Sequence, residues 1–291
     1  MKKSRALALI IISSFLFGTS VIFSHYLSPM GFTPMQMTAV RGVVSAALLL
    51  ISILVVDRKL LKVTLKELAL FVPAGILMFL TAFSYYSALK HTSPAVAVVL
   101  MYSAPVYVLL FSILFFKEKM TWLKTVAVLV MLAGLVLVSG VLDSKNFNLL
   151  GVAFAVAAGV LYAGYTIVAK VEMRQGSNPL TAMFYCYLVM GFLAALFADV
   201  PQMVQLTLQG NTWLIVALLL GLGSITCGVP YLMYTVSLKY IPTGTASTLA
   251  LLEPMAAILY GLFLGQIPVL TQWIGVVLIL GAVFMIGRIK E

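Results

Sequence analysis

The sequence predicts an all-α membrane protein whose ten transmembrane helices form two inverted five-helix repeats. Three observations support this fold class: an apolar composition, ten long apolar segments and an internal repeat. Of the 291 residues, 63% are hydrophobic and 9% are charged, and the mean hydropathy is +1.15. Soluble globular proteins carry roughly 25% charged residues. Because no soluble fold could bury so much apolar surface, the chain is expected to lie in a lipid bilayer.

The charge balance is strongly basic, with a formal net charge of +10. In a soluble protein such a charge would suggest nucleic acid, but here the positive residues are expected to mark cytoplasmic loops. No nucleic-acid partner is therefore predicted. The two cysteines, Cys186 and Cys227, lie in apolar runs without a CxxC motif. They are expected to be small core residues rather than part of a disulfide framework.

A spanning helix needs about 20 apolar residues. Ten segments qualify, at residues 6–24, 34–56, 68–89, 93–116, 121–142, 149–169, 179–198, 212–238, 243–265 and 270–287. The first segment follows basic residues, as in a secretory signal, but it exceeds a typical ~7–15-residue signal core and lacks a clear A-x-A site. It is expected to remain as a helix. The stretch 199–211 is expected to be an outside loop.

The positive charges test this helix count independently, because cytoplasmic loops are enriched in Lys and Arg. With the N-terminus inside, fifteen of the 18 Lys and Arg residues fall in or beside inside segments. Lys90 and Lys145 fall outside, and Arg41 lies within a span. A missed helix would scramble every later loop. The pattern therefore predicts a multi-pass protein of the cell inner membrane with both termini in the cytoplasm.

An internal repeat relates residues 85–116 to residues 234–265 at a constant offset of 149, with seven identical positions that include Pro105 and Pro254. The repeats are predicted to comprise residues 1–145 and 146–291. Since five helices is an odd number, the second repeat enters the membrane from the opposite side. Inverted repeats are typical of secondary transporters, whose substrate site lies near the midplane at the repeat interface.

Four segments carry a resemblance to a known family. "SAPVYVLLFSILFFKEKMT" and "LEPMAAILYGLFLGQIP" are similar to the paired signatures of EamA-type transporters of the drug/metabolite transporter superfamily. "FLFGTSVIF" and "TAVRGVVSAALLL" resemble the first two helices of that family. The resemblance covers the whole chain. It implies ten helices in two inverted repeats around a central cavity, and export or uptake of small metabolites.

One position departs from the family pattern. The family often has an acid at the end of the proline-containing helix of the second repeat. This chain has Glu118 in the first half but Gln266 at the corresponding end in the second half. The resemblance therefore implies no role for a second acid at that place.

Glu253 is the leading candidate for a functional residue, because it is the one charge between residues 243 and 265. At 1.5 Å per residue it lies ~15 Å along its span, near the middle of a ~30 Å hydrocarbon core. An acid at this depth costs ~2.5–3.5 kcal/mol on insertion scales. Two interpretations are open. Glu253 is either a hydrogen-bonded carboxyl that organises a kinked helix, or a group that binds substrate or a coupling proton.

Pro105 and Pro254 are the candidate hinges. Each proline lacks a backbone donor and so frees the carbonyl four residues earlier, at Met101 and Ala250. Free carbonyls at membrane depth are tolerated only where protein or cavity water satisfies them. Both proline helices are therefore expected to kink at matching depth. The kinks serve either packing or alternating access.

Arg41 is the other buried charge, ~10 Å along a span that starts outside. It either bonds to helix-end carbonyls or recognises a substrate carboxylate. The sequence does not show whether Arg41 meets Glu253.

The remaining candidates are aromatic residues and one methionine. A tyrosine hydroxyl deep in a membrane needs a polar partner, so these residues are expected at a cavity or an interhelical contact. Each of them could instead pack in the core. As a group they predict an aromatic-lined pocket, which together with one carboxylate suits an organic cation or an amphipathic zwitterion. They are Tyr85, Met101, Tyr102, Tyr162, Tyr165 and Tyr234.

The sequence contains no P-loop, no nucleophile motif and no His or Cys at metal-ligand spacing. We therefore predict no cofactor, no metal and no enzymatic activity. The function expected is secondary transport of a small metabolite by alternating access, with the proton as a candidate coupling ion. One alternative is an amino-acid exporter in which Arg41 and Glu253 read opposite substrate charges. Another is a structural or intramembrane enzymatic protein, which one acid and one arginine within the spans disfavour. Monomer and homodimer are both open.

Overall fold

The computed structural model describes residues 3–118, 120–141, 148–265 and 267–287. Gln266, Lys145 and the predicted repeat boundary after residue 145 lie outside these ranges. Apolar helices occupy all ten predicted spans, and the described residues contain no β-strand. The predicted all-α membrane fold is therefore confirmed.

The spans are numbered 1 to 10 in chain order. Nine of the described helices are long and apolar enough to cross a membrane, and the tenth is shorter. Their bounds are Lys3–Met30, Pro34–Val56, Leu65–Leu89, Pro94–Phe116, Trp122–Ser139, Leu149–Arg174, Pro179–Phe197, Thr212–Ser237, Thr243–Phe263 and Leu270–Gly287. Span 1 begins at the face that we call the termini face, and spans 2, 4, 6, 8 and 10 end at it. Spans 1, 3, 5, 7 and 9 end at the opposite face, which we call the far face.

Helix caps fix several of the span starts. Thr33 and Gln36 form a capping box at the start of span 2, and Thr64 and Glu67 form one at the start of span 3. Spans 2, 4 and 7 place a proline in the first helical turn, where its missing N–H removes no hydrogen bond. These local signals explain why the helices begin close to the predicted boundaries.

The prediction of a loop at residues 199–211 is wrong. This stretch contains an amphipathic helix, Val200–Gln209, whose first turn is capped by Asp199. The side-chain amide of Gln36 donates to the Asp199 carbonyl at 2.8 Å and ties the helix to span 2. An N-cap acid followed by a proline in the first turn is a helix start signal. With only 10 residues the helix is too short to span a bilayer.

The helix packing has the symmetry expected of two inverted repeats. Spans 2 and 7 pack against each other, as do spans 5 and 10, and exchange of span n with span n+5 maps each pair onto itself. Span 6 packs on spans 3 and 4, and span 1 packs on spans 8 and 9. The same exchange of spans relates these two groups of contacts. We call spans 3, 4 and 6 the first bundle and spans 8, 9 and 1 the second bundle.

Glycine pairs allow the closest helix contacts on this pseudo-twofold axis. A methyl group added at Gly42 of span 2 would lie 2.6 Å from the backbone nitrogen of Gly191 on span 7. These two glycines are 149 residues apart, as in the repeat register. Between spans 5 and 10, a methyl group at Gly134 would lie 2.8 Å from the Gly275 carbonyl oxygen. Small residues thus bring both helix pairs into backbone contact.

The Gly42→Ala substitution is expected to destabilise the protein by about 1–3 kcal/mol, because the added methyl group forces two backbones apart. The Gly164→Ala substitution is the matched control, since its methyl group would lie 3.6 Å from Leu77 side-chain atoms, an ordinary contact. The measurement is the apparent melting temperature of the purified protein in detergent. Equal melting temperatures for the two variants would contradict this account of the crossing.

Both proline-containing spans are interrupted at matching positions. Span 4 breaks after Met101 and resumes at Ala104, and span 9 breaks after Leu249 and resumes at Leu252. At the second break, the Ala250 carbonyl accepts a hydrogen bond from the Glu253 backbone N–H at 3.0 Å. Span 8 also deviates from a regular helix, with a π-helical turn at Ser224–Gly228. Irregular turns of this kind are frequent at functional sites.

Candidate functional site

A cavity of about 470 Å³ lies between the two bundles. Its walls come from the middle of the spans and from the parts that lead to the far face. Residues of both interrupted helices line it, including Tyr102 and Pro105 of span 4 and Glu253 and Pro254 of span 9. The helix breaks therefore form part of the cavity wall.

Helix packing between spans 4 and 9 closes the cavity toward the termini face, and the symmetry-equivalent segments do not pack in the same way. The first half of span 9, Thr243–Leu249, packs against the second half of span 4, Ala104–Phe116. The symmetry-equivalent segments, Pro94–Met101 and Leu252–Phe263, are fully described and do not pack on each other in this way. The structure thus departs from exact twofold symmetry in the packing of these four helix segments.

Glu253 lies in the cavity wall, in the first turn of the helix Leu252–Phe263. The Tyr102 side chain of span 4 lies beside this carboxyl group, across the interface between spans 4 and 9. The helix N-terminus adds a favourable dipole interaction with a negative charge. The carboxyl group is therefore held in place by the fold and is open to a ligand in the cavity.

Arg41 reaches the same cavity from span 2, so the structure brings the two buried charges together. The guanidinium group lies within electrostatic range of the Glu253 carboxyl group, and it is also near the Tyr86, Cys227 and Tyr231 side chains. Its Nε atom is buried and has no hydrogen-bond partner in the described part of the chain. A buried donor without a partner is costly, and a ligand with an acceptor group could satisfy it.

Of the other predicted site residues, four line the cavity and two do not. Tyr85, Met101, Tyr102 and Tyr162 line it, whereas Tyr165 and Tyr234 lie behind the wall. The Tyr165 hydroxyl faces the Met183 sulfur at 3.7 Å, and its ring is 6.0 Å from that of Tyr162. Both tyrosines support the wall as fully buried core residues.

Sequence reasoning missed part of the lining. Tyr231 follows the π-helical turn of span 8, and its ring packs edge-to-face on Phe17 at 4.5 Å. Tyr86 also lines the cavity, beside the predicted Tyr85. Several small hydroxyl residues complete the wall. They carry no sequence signal, because Ser and Thr within a helix usually bond the carbonyl one turn earlier. They are Ser20, Ser24, Thr38, Thr81, Ser139, Thr226 and Ser247.

Polar contacts join the two bundles at the termini face. The Glu118 carboxylate accepts a hydrogen bond from the Thr243 backbone N–H at 3.0 Å, and the Lys124 ammonium lies 3.8 Å from its other oxygen. The Lys170 ammonium of span 6 donates to the carbonyls of Leu238 and Ile241 that follow span 8. We call Glu118, Lys124 and Lys170, together with these backbone partners, the latch.

Comparison with known proteins gives one family across the chain. The model of the EamA-like transporter family matches residues 4–140 and again residues 149–288. A protein of Archaeoglobus fulgidus described as an uncharacterized transporter is 33% identical over 215 residues, which cover 74% of each chain. The uncharacterized transporter YwfM of Bacillus subtilis is 25% identical, over 96% of this chain and 92% of its own. A solved structure titled "Crystal structure of protein" shares the fold, with a TM-score of 0.81 at 21% identity, covering 98% of this chain and 96% of that one.

Proposed function

The chain belongs to the EamA-like transporter family, and from that premise we propose that it moves a small organic cation or amphipathic zwitterion by alternating access. The family makes it a multi-pass membrane transporter. The observation that supports the finer proposal is the cavity between the bundles, where one carboxyl group faces several tyrosine rings. Its volume of about 470 Å³ is in the usual range for small-molecule sites.

The alternating movement is proposed to exchange the roles of the two faces. The twofold exchange of spans means that a second conformation, open toward the termini face, would have nearly the same internal packing. The helix breaks beside Pro105 and Pro254 would absorb the change in backbone angles, and the latch would open. By the distribution of Lys and Arg, the termini face is proposed to be the cytoplasmic face of the inner membrane.

An organic cation would bind through its charge to Glu253 and through cation–π contacts to the tyrosine rings. A proton on Glu253 would compete with such a cation for the same carboxyl group. This competition would couple export of the cation to entry of a proton. Acidic residues within spans mark proton and substrate pathways in many transporters.

The second candidate function is export of an amino acid. The buried Arg41 Nε atom without a partner favours it, because a substrate carboxylate would satisfy that donor. The amino group of the same substrate would then bind Glu253. Both functions use one cavity, and they differ in whether the substrate carries a carboxylate.

The proposal is tested by reconstituting the protein in liposomes and screening radiolabelled organic cations and amino acids under an imposed pH gradient. We expect Ala257→Trp, which adds an indole ring at the cavity wall, to reduce the flux by about tenfold or more, the equivalent of about 1.4 kcal/mol. Leu114→Trp is the control, because Leu114 is 72% exposed on the outer surface of span 4.

Flux of a cation without a carboxylate would favour the first function, and flux confined to amino acids would favour the second. Flux that is equal in wild type and Ala257→Trp would contradict the assignment of this cavity as the substrate site.

A further inference from the structure

A second buried acid lies outside the cavity. Span 6 continues to Arg174 instead of ending near residue 169, and it carries Glu172 into the interior. Glu172 is 2% exposed, and its Oε1 atom has no hydrogen-bond partner in the described part of the chain. The expectation of a single acid within the spans is therefore wrong. The proposed transport mechanism so far gives this group no role.

One buried helix face connects Glu172 to the cavity. Tyr162, Tyr165, Ala169 and Glu172 follow each other at spacings of three, four and three residues, which places them on one face of span 6. Tyr162 lines the cavity and Tyr165 lies behind the cavity wall. Glu172 lies ~15 Å from Tyr162 along the helix axis, toward the termini face. This helix face thus leads from the cavity toward the termini face.

The ionisable groups near Glu172 include two that are neutral, the Tyr165 hydroxyl on its own helix and the Cys186 thiol of span 7. The nearby cations are directed elsewhere. Lys170 donates to the carbonyls after span 8, and Arg174 lies over the Phe116 ring of span 4 at 4.3 Å.

The acid at the start of span 3, Glu67, is likewise engaged, because its carboxylate accepts from the Thr64 backbone N–H at 2.8 Å. An ionised carboxylate at the Glu172 position would then be buried without compensation, at a cost of several kcal/mol. In the conformation closed at the termini face, Glu172 is consequently held as the neutral acid, with a proton bound.

The latch supplies a way to release this proton. Lys170 is two residues from Glu172, and its bonds to the Leu238 and Ile241 carbonyls hold this end of span 6 against the second bundle. If these bonds broke, water would reach the same turn of the helix. The carboxylic acid would then give its proton to water and remain as a solvated carboxylate.

We propose that Glu172 is a second proton-binding site, separate from Glu253, that exchanges its proton with the termini face when the latch opens. The exchange rests on the proposed alternating access, whereas the binding of the proton does not. The two parts can therefore be tested separately.

The test is infrared difference spectroscopy of the full-length protein in liposomes, without substrate, between about pH 5 and about pH 9. Glu172→Gln is expected to remove one carbonyl band of a buried carboxylic acid that Glu253→Gln leaves in place. Glu67→Gln is the matched control, because glutamine also completes a capping box. Glu172→Asp keeps a carboxyl group and is expected to shift the band rather than remove it.

Exchange through the latch is tested with Lys170→Met. In this variant the Glu172 band is expected to disappear at a lower pH than in wild type, because water reaches the carboxyl group. A spectrum unchanged by Glu172→Gln, or unshifted by Glu172→Asp, would overturn the proton site. A Glu172 band with the same pH dependence in Lys170→Met would overturn the gated exchange. A protein that moved none of the screened compounds would refute the proposed function and still show the band.

Discussion

Substitution of Glu253 by glutamine is expected to abolish transport driven by a pH gradient while the protein remains folded. Glutamine has nearly the same shape and keeps an acceptor oxygen beside Tyr102. It can neither carry a negative charge nor bind a proton. We expect the flux to fall by about 100-fold, equivalent to about 2.7 kcal/mol of lost charge interaction. The measurement is initial uptake into proteoliposomes with and without the gradient.

The same experiment separates the two interpretations of this carboxyl group. If Glu253 only organises the kinked helix, Glu253→Gln should lower the melting temperature and leave the transport per folded protein unchanged. If it binds substrate or a proton, the melting temperature should stay near wild type and the dependence of the flux on pH should vanish. Tyr102→Phe, which removes the hydroxyl donor and keeps the acid, serves as the companion variant. A mutant flux that remains pH-driven would reject coupling through Glu253.

The architecture could be predicted from sequence because two strong signals agree. Apolar segments of membrane length determine the number of helices, and the Lys and Arg distribution supports the same count. The repeat offset then pairs Pro105 with Pro254, and both helices break where these prolines predict. Glu253 could be placed at the cavity because a carboxyl group at mid-membrane has few alternatives to a polar interior.

The side-chain geometry of the site could not be predicted, for a physical reason. These spans are apolar on nearly all sides, so hydrophobic periodicity does not show which face of a helix turns inward. Tyr162 and Tyr165 therefore looked equivalent, although one lines the cavity and the other packs behind it. The proximity of Arg41 to Glu253 depends on the packing of distant spans. Glu172 was missed because the apolar run of span 6 ends at residue 169, whereas the helix continues to Arg174.

The latch adds charged contacts to the packing that closes the cavity toward the termini face. At the offset of 149 residues, Glu118, Lys124 and Lys170 correspond to Ile267, Trp273 and Val21. None of these three residues can form an ion pair or donate from an ammonium group, so the three charged side chains of the latch have no charged counterparts in the repeat register. A twofold architecture alone would give both faces similar stability. Under the proposed alternating access, the charged contacts at the termini face would favour the conformation that is closed there.

Removal of the latch is accordingly expected to shift the protein toward the conformation open to the termini face. Lys170→Met deletes the charged donor to two carbonyls, and hydrogen bonds to charged groups contribute about 1.5–3 kcal/mol each. A loss of this size changes the ratio of the two conformations by about tenfold or more. The readout is the modification of Ser20→Cys, a cavity position, by a membrane-impermeant thiol reagent in a background with Cys186→Ser and Cys227→Ser.

In this background, labelling from the far face should fall and labelling from the termini face should rise when Lys170→Met is added. Lys62→Met is the control, because Lys62 is an exposed lysine at the same face that takes no part in the latch. Thermal stability should change little, since the second conformation keeps the same paired helices. If Lys170→Met and Lys62→Met label equally from both faces, the contacts at the termini face do not set the conformational balance, and closure must come from the packing of Thr243–Leu249 on Ala104–Phe116 alone.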